Sequence, residues 1–474
     1  MIFLSFLIVA LGHFENFSLF GVFTSLFGYA LFWKGLATVK RPFLVATVWF
    51  ALLQGCFLFW MTSIEYQGIY ILFVYLFLLV FLGIQWGVMS RLVVLRYNIL
   101  LIASLWTLFE WGRQFILCGF SLNPLGLALA STDYSLQWAS IWGVLGLSFW
   151  VMWINLAAYR QKHAMAAILF LIPYLFGVIH IKYHDASSNL KPISVAIVQT
   201  DLLPSQKVPM RNRIHDFISH PVQWENILKC LNGAPKADYI ILPEAALPFG
   251  ILKNGDACQE LADYFGAEVI VGLDDKNFNA AFHFIPHSDK WERIEKQVLL
   301  PLAEYLPFEW ARSLTKYYGI TEFFTPGSET KIFTGKVPVA VSICYEETFS
   351  SYVRKGRQKG GELLVNLSND AWYPYSILGE EHFKHGKIRA IENGAYLVRA
   401  CNMGVSGVVD SLGRTVSKKD TPGVLFASFV PYSYKTFYGF WGDMAIIFLC
   451  LLVLFFKLAQ NIILGYPFTE QGSG

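Results

Sequence analysis

The stretch VPVAVSICYEE (337–347) decides how the polar part of this chain folds. VPVAVSIC is an apolar, β-branched run of strand length, and it breaks abruptly into Cys344, Tyr345, Glu346 and Glu347. Such a run, closed by polar residues, reads as a strand buried on both faces. Working outward, the same kind of run recurs at 193–199, 238–243, 267–273, 280–285, 362–368, 395–401 and 424–429. Between them, 211–231, 257–265, 346–358 and 379–393 carry helical spacing. Near-continuous apolar strands separated by amphipathic helices predict a layered α/β domain.

The flanks are different. Of 474 residues, 55% are hydrophobic and only 15% are charged, against about 25% in a typical soluble chain. That excess excludes a disordered chain and an ordinary soluble enzyme. Runs at 16–33, 43–64, 66–90, 134–158 and 164–181 are uncharged and of spanning length. The segment 97–116 qualifies despite Glu110 and Arg113, which share a helix face and could pair, and 2–12 reads as a short first span. With 438–458, eight spans are expected: a seven-span bundle over 1–185, a catalytic domain over 186–435, and an eighth span with a cytoplasmic tail over 436–474.

Lys34, Lys40 and Arg41, then Arg91 and Arg96, then Arg160 and Lys162 occupy every second loop. The excess of basic residues in cytoplasmic loops therefore predicts that 186–435 lies outside the cytoplasm. With 37 basic and 34 acidic residues the charge is too balanced for nucleic-acid binding. No cluster has metal-ligand spacing, so neither metal nor cofactor is expected. The seven cysteines form no C-x-x-C pair, although an oxidising compartment would allow Cys230 and Cys258 to pair.

Three residues at strand ends carry the chemistry. Glu244 follows DYIILP directly, and a carboxylate there is either a structural cap or a functional group. Cys344 sits where a strand turns into a helix; it is either a small core residue or a nucleophile whose thiolate the free N–H groups favour. Lys296, alone, would read as a surface lysine, but Pro301, Glu304 and Pro307 follow it in a rigid loop.

Together these segments resemble the nitrilase superfamily, with its Glu-Lys-Cys triad. The ordered set LPEAALP (242–248), KQVLLPLAEYLP (296–307), SICYE (342–346) and NLSNDAWY (366–373), with 382–404, FEWGR (109–113), CGF (118–120) and WGD (441–443), resembles the apolipoprotein N-acyltransferase family. The resemblance implies an αββα nitrilase-like (CN hydrolase) sandwich on an eight-span transmembrane bundle, in a bacterial inner membrane with the active site in the periplasm. It implies a ping-pong acyltransferase with Cys344 as nucleophile, Glu244 as base and Lys296 as oxyanion stabiliser. Glu304 would support Lys296 or the acceptor, while Tyr345, Glu346 and Trp372 match positions beside the pocket. The implied acyl donor is a membrane glycerophospholipid, and the acceptor is the α-amine of a diacylglyceryl-modified N-terminal cysteine of an apolipoprotein. A monomer working among membrane lipids is expected.

Departures from the family pattern fall at Val208, where a Trp is usual, at Leu302 and Ala303, and at LGEEH (378–382). The aromatic stretch 302–326, with Trp310, reads as a membrane-facing lid. Two other classes fit part of the pattern. One is a membrane-tethered nitrilase-type amidase that hydrolyses an amide through the same thioester, but a soluble amide gives no reason for eight spans. The other is a transporter or scaffold with a degenerate outer domain, which the retained Glu244, Lys296 and Cys344 argue against.

Overall fold

The computed structural model describes residues 1–14, 18–116, 119–185, 190–210, 213–301, 303–305 and 323–464. The chain forms two compact units. One comprises Met1–Ile64, Ile69–Ala186 and Phe440–Gly474; the other comprises Glu65–Gly68 and Ser187–Gly439.

In the first unit, five helices among the described residues are long and apolar enough to cross a membrane: Ser18–Leu36, Tyr70–Val94, Ala139–Tyr159, His163–His184 and Met444–Asn461. Ile2–Gly12, Pro42–Phe57 and Ile99–Arg113 are apolar but shorter. Ser18–Leu36 contains a π-helical turn at Thr24–Gly28, which disturbs the backbone ladder. The buried Asn155 makes good the loss. Its Oδ1 accepts from the Tyr29 and Ala30 N–H groups at 2.9 and 3.1 Å, and its Nδ2 donates to the Thr24 and Ser25 carbonyls at 3.1 and 2.9 Å. In an apolar environment such satisfaction is obligatory. Glu110 and Arg113 do not form the expected ion pair. Glu110 Oε1 instead accepts from Trp106 Nε1 (2.8 Å) and Leu125 N–H (2.9 Å), while the Arg113 guanidinium lies 4.9 Å from the Trp106 ring centre.

The second unit holds two sheets. The first contains β1 (Ile193–Gln199), β2 (Tyr239–Ile241), β3 (Glu268–Asp275), β4 (Phe278–Phe284), β5 (Glu292–Glu295) and β11 (Gly423–Phe429), in the order β11-β1-β2-β3-β4-β5. The second contains β6 (Val339–Ile343), β7 (Leu363–Ser368), β8 (Leu397–Cys401), β9 (Ser406–Val409) and β10 (Thr415–Lys419), in the order β10-β9-β8-β7-β6. Strands β6, β7 and β8 run parallel, with Ser342 beside Asn366 and Asn366 beside Arg399.

Because side chains alternate along a strand, β1, β2, β3 and β4 of the first sheet each serve two cores. Val195, Ile197, Tyr239, Ile241 and Ile270 join Val341, Ile343, Val365, Leu367 and Val398 of the second sheet in one cluster. Ala196, Val198, Ile240 and Val269 face the other way, against Ile227 and Leu231 of helix His220–Asn232 and Leu261 and Ala262 of helix Gly250–Phe265. Truncating a residue such as Ile241 to Ala in so dry a cluster costs about 2–5 kcal/mol. Helices Ser350–Gln358 and Leu378–Asn393 complete the unit.

Three short strands, β5, β9 and β10, were not anticipated from hydrophobicity; β5 reads ERIE and β10 TVSKK. The helix expected from 211 begins only at His220, after Ser219 at its N-cap, with Pro221 in its first turn. Proline there has the backbone angle a first turn needs and loses no hydrogen bond. Cys230 and Cys258 are both free thiols.

Candidate active site

Glu244 lies just past β2. The chain is pinned there by Leu242 N–H to the Ile270 carbonyl (2.8 Å), Gly272 N–H to the Pro243 carbonyl (3.2 Å) and Ala246 N–H to the Gly272 carbonyl (3.0 Å). Gly272 allows this approach, since a Cβ on it would lie 2.6 Å from Glu244 Cα. Lys296 follows β5 and is held by its own N–H to the Asn279 carbonyl at 2.9 Å. Cys344 follows β6 with φ +51°, a left-handed conformation that is costly for a side chain bearing a Cβ. It opens the short 3₁₀ turn Cys344–Thr348.

These strand ends bring the carboxylates and the lysine together. The Lys296 ammonium, 1% exposed, donates to Glu244 Oε1 at 3.0 Å and to Glu304 Oε1 at 2.8 Å. Asn279 Nδ2 bridges the same two oxygens at 2.7 and 3.0 Å. Glu304 Oε2 accepts from Leu300 N–H at 2.8 Å, which locks the loop around it. Glu346, fully buried, staples two elements: Oε2 accepts from Ile343 N–H (2.8 Å), and Oε1 from Gln297 N–H (2.5 Å) and Val298 N–H (3.0 Å). It therefore fixes the Cys344 elbow to the segment that follows Lys296. Tyr345 is buried against Phe349, with ring centres 5.1 Å apart. Trp372 is half-exposed and meets the Tyr66 ring edge-on at 6.2 Å.

Burial works against the charged form of Lys296, but Glu244, Glu304 and Cys344 outweigh it and hold its pKa well above the ordinary lysine value. Cys344 is also shifted. Burial first, and then Glu244, push its pKa well above the usual thiol range, and Lys296 pulls back only in part. The elbow lies among carboxylates, and its turn is short. Burial pushes Glu346 up to about 7 despite its three N–H donors, and burial with Glu244 and Glu304 raises Asp274 to about 6.

Several neighbours had escaped notice in the sequence. Asn279 and Asp274, paired across the facing ends of β4 and β3, flank the carboxylates. Beneath the elbow, Asn366 Nδ2 donates to the Cys344 carbonyl at 3.4 Å, and Asn366 Oδ1 accepts from Arg399 Nη1 at 3.0 Å. Arg399 pairs in turn with Glu347 and, at 3.2 Å, with Asp370, which His382 also contacts at 2.9 Å. Of the aromatic stretch 302–326, Leu302 and 306–322, including Trp310, lie outside the described residues. Its far end returns to the site: Phe324 N–H donates to the Glu304 carbonyl at 2.9 Å.

A buried Glu-Lys pair beside a strained cysteine, on two sheets sharing a core, defines a nitrilase-like carbon–nitrogen hydrolase fold; residues 194–429 match the family model described as Carbon-nitrogen hydrolase. Residues 5–157 match the model for the Apolipoprotein N-acyltransferase N-terminal domain. A relative named apolipoprotein N-acyltransferase from Chlamydia pneumoniae is 31% identical, covering 89% of this chain and 89% of its own. Relatives of the same name from Chlamydia muridarum (29%, 94% of each chain) and Rickettsia bellii (27%, 78% of this chain and 76% of its own) agree. The chain belongs to the apolipoprotein N-acyltransferase family. Among solved structures, a CN-hydrolase superfamily protein from Xanthomonas campestris is similar at 16% identity and TM-score 0.39, covering 51% of this chain and 91% of that one.

Proposed function

We propose that this enzyme moves an acyl chain from a membrane glycerophospholipid to Cys344, and from Cys344 to the α-amine of a diacylglyceryl-modified N-terminal cysteine of an apolipoprotein. The observation that carries this reading is the buried contact of Lys296 with Glu244 and Glu304, electrostatically coupled to Cys344. In the first step, sulfur attacks the ester carbonyl as Glu244 takes the thiol proton. The C–S bond forms, the ester C–O bond breaks, and the proton passes from Glu244 to the departing lysophospholipid oxygen. In the second step, the acceptor amine attacks the thioester while Glu244 takes an amine proton. The C–S bond then breaks, and that proton returns to sulfur. Lys296 holds Glu244 in place by a direct hydrogen bond and places its positive charge by the tetrahedral oxyanion. Glu304 holds Lys296, Glu346 fixes the elbow, and Tyr345 and Trp372 border the lipid-binding space.

The same reading takes 1–185 as a seven-span bundle, 186–435 as the catalytic αββα sandwich and 436–474 as the eighth span with its tail. The enzyme then acts as a monomer in a bacterial inner membrane with its catalytic domain in the periplasm. The basic loops support that orientation, and a Lys162→Cys variant should resist an impermeant thiol reagent in intact cells. Incubation of the purified enzyme with phosphatidylethanolamine vesicles and a synthetic diacylated lipopeptide tests the reaction. A triacylated peptide and lysophospholipid are the expected products. Free fatty acid with no triacylated peptide would instead mean that water, not the amine, discharges the thioester, as in a hydrolase of the nitrilase type.

A further inference from the structure

Lys207 plays no part in the mechanism above, yet it is 5% exposed and lies beside the catalytic carboxylate. It ends the short helical turn Pro204–Lys207. That turn is held rigidly: Gln206 caps Leu203 N–H at 2.9 Å, and Gln223 Nε2 donates to the Lys207 carbonyl at 3.1 Å. The Lys207 ammonium donates to the Ala245 carbonyl at 2.8 Å. Ala245 is the residue directly after Glu244 and has φ +45°, in the left-handed region. A buried ammonium bound to a neutral carbonyl is costly to desolvate, and an ordinary packing position would be filled by an apolar side chain. What compensates it is the charge around it. Glu244, Cys401 and Asp274 act on Lys207 from the ends of three different strands, while Lys296 acts on Glu244 from a fourth.

We propose that Lys207 is a positioning residue for Glu244: its ammonium ties down the strained turn that follows the carboxylate and keeps a second positive charge beside it. This inference rests on Glu244 being the base. Burial brings Lys207 down to about 7 against the pull of Glu244, Cys401 and Asp274. It is therefore charged in the acid range, where Glu244 must resist protonation to serve as a base.

The test follows acylation of Cys344 by phosphatidylethanolamine vesicles from pH 4.5 to 8, in Lys207→Met and in the double variant Lys207→Met, Ala245→Gly. Glycine accepts the left-handed turn without strain, so the double variant separates loss of charge from loss of the turn. Removing a nearby positive charge makes a carboxylate easier to protonate. The acid limb of the profile should therefore move to higher pH by about one unit in both variants, with a fall of about tenfold on that limb. A limb that stays in place once the rate is normalised to folded protein, or failure of both variants to fold, would make Lys207 structural only. Glu244→Gln is run beside them. If it acylates at the parent rate, the base assignment itself fails. If it is inactive while the limb is unmoved in the lysine variants, only the Lys207 inference falls.

Discussion

Lys296 Nζ lies 3.0 Å from Glu244 Oε1 and 2.8 Å from Glu304 Oε1, with the lysine side chain fully shielded from water. Two carboxyl side chains and one lysine thus share a dry space. Burial first, and then Glu244, hold the Cys344 thiol above its usual range, and Lys296 offsets them only in part.

Lys296→Met should remove activity and leave two buried carboxylates uncompensated. Loss of one charge from a buried pair costs about 3–5 kcal/mol of stability, and loss of an oxyanion donor about 10²–10³ in rate. Lys296→Arg should not restore the rate, because a planar guanidinium cannot occupy the place of a compact ammonium. Adduct formation on Cys344 and thermal unfolding check both parts.

Glu346→Gln should loosen the elbow. Glu346 accepts three backbone N–H groups across its two oxygens, and an amide nitrogen at either place turns an acceptor into a donor. A loss of about 1–3 kcal/mol in unfolding free energy is expected, together with slower acylation. Unchanged stability would show that the staple is not needed.

Gly272→Ala should displace the Glu244 carboxylate. The new Cβ would lie 2.6 Å from Glu244 Cα and 2.9 Å from the Pro243 carbonyl oxygen, and neither backbone atom can rotate away. Overpacking of this kind costs about 1–3 kcal/mol, and the acylation rate should fall further than the folded fraction does.

Asp274→Asn tests the electrostatics. Asp274 is raised to about 6 in the folded chain by burial, Glu244 and Glu304. The native state therefore holds this proton more tightly than the unfolded one. The stabilisation it contributes is complete below the ordinary aspartate value and is lost as pH rises through about 6. The gap in thermal midpoint between variant and parent should thus shift in the variant's favour between about pH 4 and pH 6. A gap independent of pH would contradict the shift.

Much of the fold was legible because β1, β2, β3, β6, β7 and β8 are largely apolar runs; two cores cover both faces of β1, β2 and β3, whereas β6, β7 and β8 turn Ser342, Asn366 and Arg399 away from the shared core. The edge strands were not, because ERIE and TVSKK carry charges that composition assigns to loops. Glu244 and Cys344 stood out as reactive residue types at the ends of apolar runs, and Lys296 and Glu304 through the proline-bounded loop they share. Their meeting at one point depends on the strand order β2-β3-β4-β5 and on the packing of two sheets, which no local pattern encodes. Asn279 and Lys207 were missed for the same reason, since each gains its role from a partner dozens of residues away.

The central claim is a thioester on Cys344, and mass spectrometry of the protein after incubation with phospholipid vesicles alone tests it most directly. An acyl mass increment confined to Cys344, absent in Cys344→Ala, strongly slowed in Glu244→Gln and discharged on adding a diacylated lipopeptide, is the result predicted. Acyl transfer to the peptide that proceeds in Cys344→Ala, or an adduct carried on another residue, would contradict it.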